Sequence, residues 1–493
     1  MSENKNIMIL FLSDIKIDKN KVKSYPYRYT EKDKYIIDVN GIQTNEAAVK
    51  AVIHKLNSNN EILSDDNKTL LDIYMICTEK VRSNIIDNVC FKHVDFFESR
   101  INNFCKYKEG IPVPNYYRIE YDETSTGDNV FSPIIEMANM ISASESENVY
   151  ADMTGGMRNS SMLMLSIMRL LQYKGIKVKQ VFYSNFDRDT AIKIENISNY
   201  ISLNGCSPET EKVEAKKKEP NNIDDVTNIY ELNNLIAGAE EFNKFGSADT
   251  LSKYFKSKNN CSDSLNDLIA SMKNFSNNIK LCRADIFIKA IDDLSKNIKL
   301  FTEYFKKHFD KTNTNDRIFS LLLPMIKDTY NEILNTTNES KCKQYIEIIK
   351  WCNKRGLLQQ ALTLYVELVP EYLESCNEGK SLEIVSKFIH KKQPPDTAQP
   401  EHCTDKAIHK FIDHRNAKNI KREPLDFEII KPILLSYYSI KSERNATSHA
   451  NEDKLSSENN LDIIDVGIGT NEYNRISEML SKSIKLIEEN TSI

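Results

Sequence analysis

The spacing of apolar and polar positions divides this chain into two regimes. Over roughly the first 200 residues, short apolar runs alternate with segments of helical spacing; beyond that, only helical spacing recurs. Asn6 to Leu12 (NIMILFL) predicts a first strand that ends at Ser13-Asp14. Residues 24–40 read as an exposed hairpin or irregular loop. Ala48, Val49, Val52, Ile53 and Leu56 then share one face of a helix opening after Gly41, with Thr44 or Asn45 placed to cap it. Leu71 to Cys77 (LDIYMIC) predicts a second strand, followed by Thr78-Glu79-Lys80, and Tyr116 to Tyr121 an aromatic-rich third. Phe131 to Ile141 has helical spacing. Val149 to Met153 predicts a buried strand and Met162 to Tyr173 a helix that Gly175 ends. Val178 to Ser184 completes a βαβ unit. Strands alternating with helices predict an α/β, Rossmann-like, doubly wound sheet.

Residues 207–222 are polar, charged and contain Pro208 and Pro220, which predicts a linker. Segments near 263–308, 317–335, 340–353 and 357–375 carry apolar residues three and four apart, and 390–406 reads as a loop. Phe427 to Ile440 and Glu472 to Glu489 predict the strongest late helices. The expected organisation is an α/β domain over 1–206, a linker over 207–222, a helical region over 223–400 and a helical domain over 401–493.

Composition narrows this modestly. A length of 493 residues suggests about two to four domains. The net charge of −5 gives no whole-molecule attraction to a duplex, although a local basic cleft is compatible with it. No apolar run reaches the ~18 residues of a membrane span, and the N-terminal residues lack a signal-peptide core. Ten cysteines without a CxxC pair favour reduced thiols in a cytoplasm and argue against a zinc site. Trp351 reads as helical core, and Lys216 to Lys218 as a solvated run.

Two stretches carry chemistry. In Val149-Tyr-Ala-Asp-Met-Thr-Gly-Gly-Met-Arg158, a strand meets two glycines and then a helix start, the joint where α/β folds bind phosphate. Gly155 and Gly156 let the backbone approach a ligand, Thr154 and Ser160 are placed to cap the helix, and Arg158 adds a fixed charge. The same residues also suit a strand–helix turn with no ligand. Ser13-Asp14 and Thr78-Glu79-Lys80 stand at carboxyl ends of strands, where ligands of such sheets gather.

The second stretch is Ser442-Glu-Arg-Asn-Ala-Thr-Ser-His449. Asn445 and His449 are four apart and share a helix face, whereas Arg444 and His449 diverge by about 140° on an ideal helix. Convergence on one phosphate needs a helix end, or two chains pooling their motifs. A histidine moves protons near neutral pH, an arginine holds the scissile phosphate, and an asparagine orients either. The RNA 2′-hydroxyl can itself attack the adjacent phosphate, so such a trio needs no metal. Taken alone, these residues are better accounted for by a solvated polar helix end with an incidental histidine, because Arg-x4-His occurs often by chance.

Together, Gln43-Thr-Asn-Glu-Ala47 and Asp152-Met-Thr-Gly-Gly-Met-Arg158 on an α/β domain, followed by helical Arg444-Asn445-x3-His449, resemble the CARF–HEPN ancillary ribonucleases of type III CRISPR systems (Csm/Csx group). The resemblance covers residues 1–206 and about 400–493; for 223–400 it gives only helix. It implies a cytoplasmic homodimer whose paired CARF domains bind a cyclic oligoadenylate as allosteric activator. It also implies a HEPN pair that cuts single-stranded RNA without metal or sequence selectivity, leaving 2′,3′-cyclic phosphate ends. Some family CARF domains also cut their own activator slowly. The expected link to the interference complex is functional, without stable binding or a membrane. By position, Thr154, Gly155, Gly156 and Arg158 contact the activator, with Ser13, Thr44, Asn45 and Thr78 lining the same pocket. Arg444 and His449 are catalytic, with Asn445 supporting them. Two other readings fit the residues: a nucleotide-sensing regulator whose HEPN-like domain only binds RNA or a partner, and a toxin-type nuclease whose α/β half is structural.

Overall fold

A computed structural model describes residues 5–17, 21–32, 34–59, 71–86, 91–124, 127–142, 146–156, 159–191, 193–196, 219–258, 260–281, 284–336, 339–375, 425–449 and 472–491. The chain folds as two units, Met1–Leu232 and Asn233–Ile493. The expected loop at 390–406, most of the expected linker and Arg158 lie outside the described residues.

The first unit is built on one mixed sheet. Its parallel centre has the order β7 (Lys177–Ser184), β6 (Ser146–Asp152), β1 (Lys5–Phe11), β4 (Leu71–Thr78), β5 (Asn115–Tyr121). Side chains alternate across the pleat, so β1 serves two cores. Met8 and Leu10 pack with α1 (Thr44–Ser58) and α3 (His93–Asn103). Ile7, Ile9 and Phe11 pack with α4 (Ser132–Ser142) and α5 (Ser160–Tyr173). A short helix, α2 (Glu79–Ser83), follows β4 directly. Near-continuous apolar runs such as LDIYMIC are what strands covered on both faces require. The expected α/β architecture, followed by a helical second unit, is therefore the one observed.

Two local expectations change. Residues 24–40 do form a hairpin, β2 (Lys21–Glu31) with β3 (Lys34–Gly41), but it extends the sheet, and Tyr27 and Tyr29 are buried. A short strand, β8 (Lys193–Asn196), pairs with β2. The end of the expected linker contributes β9 (Asn221–Asp225), which lies parallel to β2 and antiparallel to β7 and so joins the hairpin to the parallel centre. Helix α6 (Thr227–Phe245) follows, and its Tyr230 donates to the Gln172 side chain of α5 at 2.7 Å.

The second unit is helical: α7 (Asp249–Lys256), α8 (Asp263–Leu281), α9 (Ala284–Lys307), α10 (Thr314–Leu334), α11 (Lys341–Lys354), α12 (Leu358–Ser375), α13 (Leu425–His449) and α14 (Glu472–Thr491). Trp351 is fully buried with Phe275 and Tyr330 around it, at ring separations of 5.8 and 5.2 Å. Tyr365 of α12 meets Ser436 of α13 at 3.1 Å, and Arg475 of α14 pairs with Glu443 of α13 at 2.7 Å. These contacts seat α13, the helix that carries the second sequence motif.

Candidate functional site: a crevice at the switch point of the sheet

Within the parallel centre, β4 and β5 lie successively outward on one side of β1, and β6 and β7, later in the chain, lie on its other side. The strand order therefore reverses between β1 and β6, and the carboxyl ends of these two strands open the crevice where such sheets bind ligands. Ser13 follows β1, Thr154 to Gly156 follow β6, and the start of α1 lies beside them.

Asn45 joins the three segments. Its side chain is fully buried; Oδ1 accepts from the Ser13 amide and hydroxyl, both at 2.9 Å. Its Nδ2 donates to the Phe11 carbonyl at 3.2 Å and to Asp152 Oδ2 at 2.7 Å. The Ser13 hydroxyl also meets that of Thr44 at 3.1 Å, and Gln43 donates to the Ser13 carbonyl at 2.8 Å. Across the crevice, the Thr154 amide donates to Asp152 Oδ1 at 2.9 Å, and the Thr154 hydroxyl donates to the same oxygen while accepting from the Ser184 amide at 2.7 Å.

The glycines are sterically required. A Cβ on Gly155 would lie 2.1 Å from the Phe11 carbonyl oxygen and 2.5 Å from the Asn45 amide group. Gly156 adopts φ +90°, and a Cβ there would stand 2.5 Å from the Phe11 ring. The turn can lie this close to β1 and α1 only with hydrogen at both positions.

Two helices begin at the crevice, and their electrostatics differ. At the start of α1, Glu46 accepts from the amides of Ile42 and Gln43 at 3.2 and 3.0 Å, so the helix's own carboxylate occupies its positive end. Gln43 is the residue preceding this helix, and Thr44 and Asn45 are its first two residues, not the caps expected from their types. Burial alone would raise the Glu46 carboxyl; Arg100 at 2.7 Å and Lys50 at 3.2 Å outweigh that and hold it below the usual range. The first turn of α5 carries no acidic residue, so no carboxylate of its own neutralises its positive end. Nor do Thr154 and Ser160 cap α5: Asn159 occupies the cap position, and Ser160 donates backwards to the Gly155 carbonyl at 3.0 Å.

The remaining candidates are placed as follows. Thr78 ends β4, one strand away from the crevice centre, and its hydroxyl accepts from the Val81 amide at 3.4 Å. Lys80 pairs with Asp14 at the mouth. The segment after Ser13 is further fixed by buried His93, whose Nδ1 accepts from the Ile15 amide at 3.1 Å; burial lowers its pKa and favours the neutral ring this bond needs. Two roles escaped the sequence reading. Gln43 is a backbone tether, and fully buried Asp152 is the acceptor shared by Asn45 and Thr154. The one cue to Asp152 was an acid at the end of an apolar strand, two residues before Thr154.

In the second unit, Arg444 and Asn445 lie in the final turns of α13, and the helix runs through His449, its last residue. The motif is thus part of this helix and does not fall between the late helices. Arg444 is half-buried and Asn445 exposed; the His449 side chain lies outside the described set. Among the described residues there is no cluster of His, Cys, Asp and Glu able to hold a metal ion, and no helix long and apolar enough to cross a membrane.

No family model and no curated protein matches the chain. Among solved structures it is similar to Enterococcus italicus Csm6 bound to cyclic hexa-2′-fluoro-hexa-dAMP, at 10% identity and a TM-score of 0.41, with 99% of this chain and 93% of that chain covered.

Proposed function

We propose that this protein is a cyclic-oligoadenylate-activated endoribonuclease of the CARF–HEPN type, acting on single-stranded RNA in type III CRISPR defence. The observation that carries the reading is the crevice itself: a glycine turn and an acid-free helix start at the switch point, packed against Asn45, which in turn holds Ser13. Backbone amides at such a turn suit a phosphodiester, and hydroxyls of Ser13, Thr44 and Thr154 suit ribose and base edges. Arg158 would add the fixed positive charge. A cyclic ring of phosphates suits two such crevices related by a two-fold axis, hence a homodimer.

Arg444, Asn445 and His449 would cut RNA. In this assignment His449 relays the proton between the 2′-hydroxyl and the leaving 5′-oxygen, Arg444 stabilises the charge on the phosphate, and Asn445 orients them. The 2′-oxygen forms the new P–O bond as the 5′-oxygen bond breaks, giving a 2′,3′-cyclic phosphate. Because Arg444 and His449 diverge on one helix, the pairing of two α13 helix ends completes the site. Ligand binding would favour the dimer arrangement in which those ends face each other.

The test is cleavage of a fluorogenic single-stranded RNA in EDTA, with cyclic tri-, tetra- and hexaadenylate added separately. One ring is expected to switch cleavage on. Failure of all three to do so removes the ribonuclease reading.

A further inference from the structure

One ionisable group in the crevice has no part in the ligand contacts assigned above. Asp152 is fully buried, and the donors that reach its carboxylate are neutral: Asn45 Nδ2, the Thr154 amide and the Thr154 hydroxyl. Among the described residues, the neighbouring elements supply no cation to balance it. From β2, Tyr27 faces it with a phenol that burial and then the Glu46, Tyr25 and Asp152 charges push far above its ordinary pKa, so that it stays protonated. From β1 comes the Phe11 carbonyl, which shares the Asn45 amide with Asp152, and from β7 the Ser184 amide, which meets the Thr154 hydroxyl. The described cations of this region are committed elsewhere, Arg100 and Lys50 to Glu46 and Lys80 to Asp14, while Arg158 lies outside the described residues.

We propose that anion binding at the Gly155–Gly156 turn is coupled to protonation of Asp152, which makes this carboxylate the group that sets the affinity of the crevice as a function of pH. The inference rests on the crevice being a phosphate site, as proposed above. Asn45 bonds Asp152 and packs directly against Gly155, so a phosphate held by the amides of the glycine turn, about two polar contacts away, stands about 7 Å from the carboxylate. At that distance, and at an effective dielectric of about 20, two like charges repel strongly enough to raise a carboxyl pKa by one or more. Burial already pushes Asp152 up to about 6, against the hydrogen bonds from Thr154 and Asn45 that favour the ionised form. The free protein at neutral pH is therefore mostly ionised at Asp152, and one added negative charge is enough to reverse that. The proton comes from solvent and no other bond forms or breaks. A phosphodiester does not titrate in this range, so any proton taken up belongs to the protein. Protonated Asp152 still accepts from Thr154 and Asn45 through its lone pairs, so the turn keeps its geometry.

The sign follows from linkage. Uptake is greatest between the free-state and bound-state pKa values, so affinity rises as pH falls through that window. It levels off below about pH 5, where Asp152 is already protonated in the free protein.

The experiment is calorimetric titration of the full chain with cyclic tri-, tetra- and hexaadenylate at pH 7, in two buffers of different ionisation heat. For a ring that binds, we expect uptake of about half a proton or more per chain. Affinity should gain up to about tenfold per pH unit between about pH 8 and 6. Asp152→Asn should bind without uptake. Should that variant misfold, difference infrared spectra of the unmodified protein report the same event, as a protonated-carboxyl C=O band gained on binding. Binding without proton uptake overturns this inference and leaves the ligand assignment standing. Uptake that persists in folded Asp152→Asn overturns it too, and points to a group such as His93. Absence of binding by every ring overturns both.

Discussion

At the scale of single residues, the crevice depends on atoms that are missing. Gly155→Ala would drive a methyl into the Phe11 carbonyl and the Asn45 amide, neither of which is a flexible chain end. We expect a loss of about 2–4 kcal/mol, read by urea denaturation with circular dichroism, together with loss of ring binding. A variant within ~0.5 kcal/mol of the parent would contradict the close approach of that turn to β1 and α1. The need for glycine was visible in the sequence, but its cause was not, because Phe11 and Asn45 are brought to Gly155 only by the sheet. The same holds for Asn45, which read as a helix cap by residue type. Folded, it is committed to Ser13, Phe11 and Asp152.

Asp152 also gives a signed stability prediction. Its carboxyl is pushed up to about 6, above the ~3.9 of an unfolded chain, so its contribution is fully present below about pH 4 and is lost as pH rises through about 6. Ionisation therefore costs about 2–3 kcal/mol at neutral pH. In parallel urea titrations, the stability of Asp152→Asn relative to wild type should shift in the variant's favour by that order as pH rises from about 4.5 to 7.5. That shift comes on top of a pH-independent cost, because its amide sets an N–H against a donor of Asn45 or Thr154. A constant difference across that range would show that Asp152 ionises as freely as on a surface.

At the scale of elements, α1 presents the most information to the site and is the least typical helix. Asn45, Glu46 and Lys50 are fully buried alongside its apolar face. Removing one partner from a buried ion cluster leaves charge uncompensated, so Arg100→Met should cost about 3 kcal/mol, with Lys50 still supporting Glu46. Denaturant midpoints check this, and a change under about 1 kcal/mol would mean that Arg100 is dispensable. Because Glu46 is held below its ordinary pKa, its stabilisation is present above about pH 4.3 and disappears as acid protonates it. Strand and helix identities were legible wherever an apolar period was strong, as in β1, β4 and α5. Two elements were not. The hairpin β2–β3 reads as exposed because it carries tyrosines and charges that suit a surface loop equally well. It is buried because β9 and β8 pair with β2 and because Tyr27, Tyr29, Ile37 and Val39 pack in the core shared with α1. Strand β9 (NNIDD) has one apolar residue, Ile223, and no period to read; its strand character comes from its neighbours β2 and β7.

At the scale of the whole molecule, the proposed function joins a ligand crevice in the first unit to a cutting motif at the end of α13 in the second. Composition gave no hint of either: a net charge of −5 does not reveal the proposed anion site, which would be made of backbone amides and a helix start more than of lysines. The Arg444–His449 spacing was legible in the sequence, and its divergence on one helix already suggested two chains pooling their motifs. The geometry of such a pairing was not legible, since spacing along one helix does not say how a second copy would meet it. The most direct test titrates each cyclic oligoadenylate into wild type, His449→Ala and Arg158→Ala, following ring binding and RNA cleavage in the same samples. We expect His449→Ala to bind the ring as wild type does and to cut nothing. Arg158→Ala should reach wild-type cleavage only at tenfold or more higher ligand. Cleavage that proceeds without any ring, or that survives in His449→Ala, would contradict the proposed coupling of crevice and cutting site.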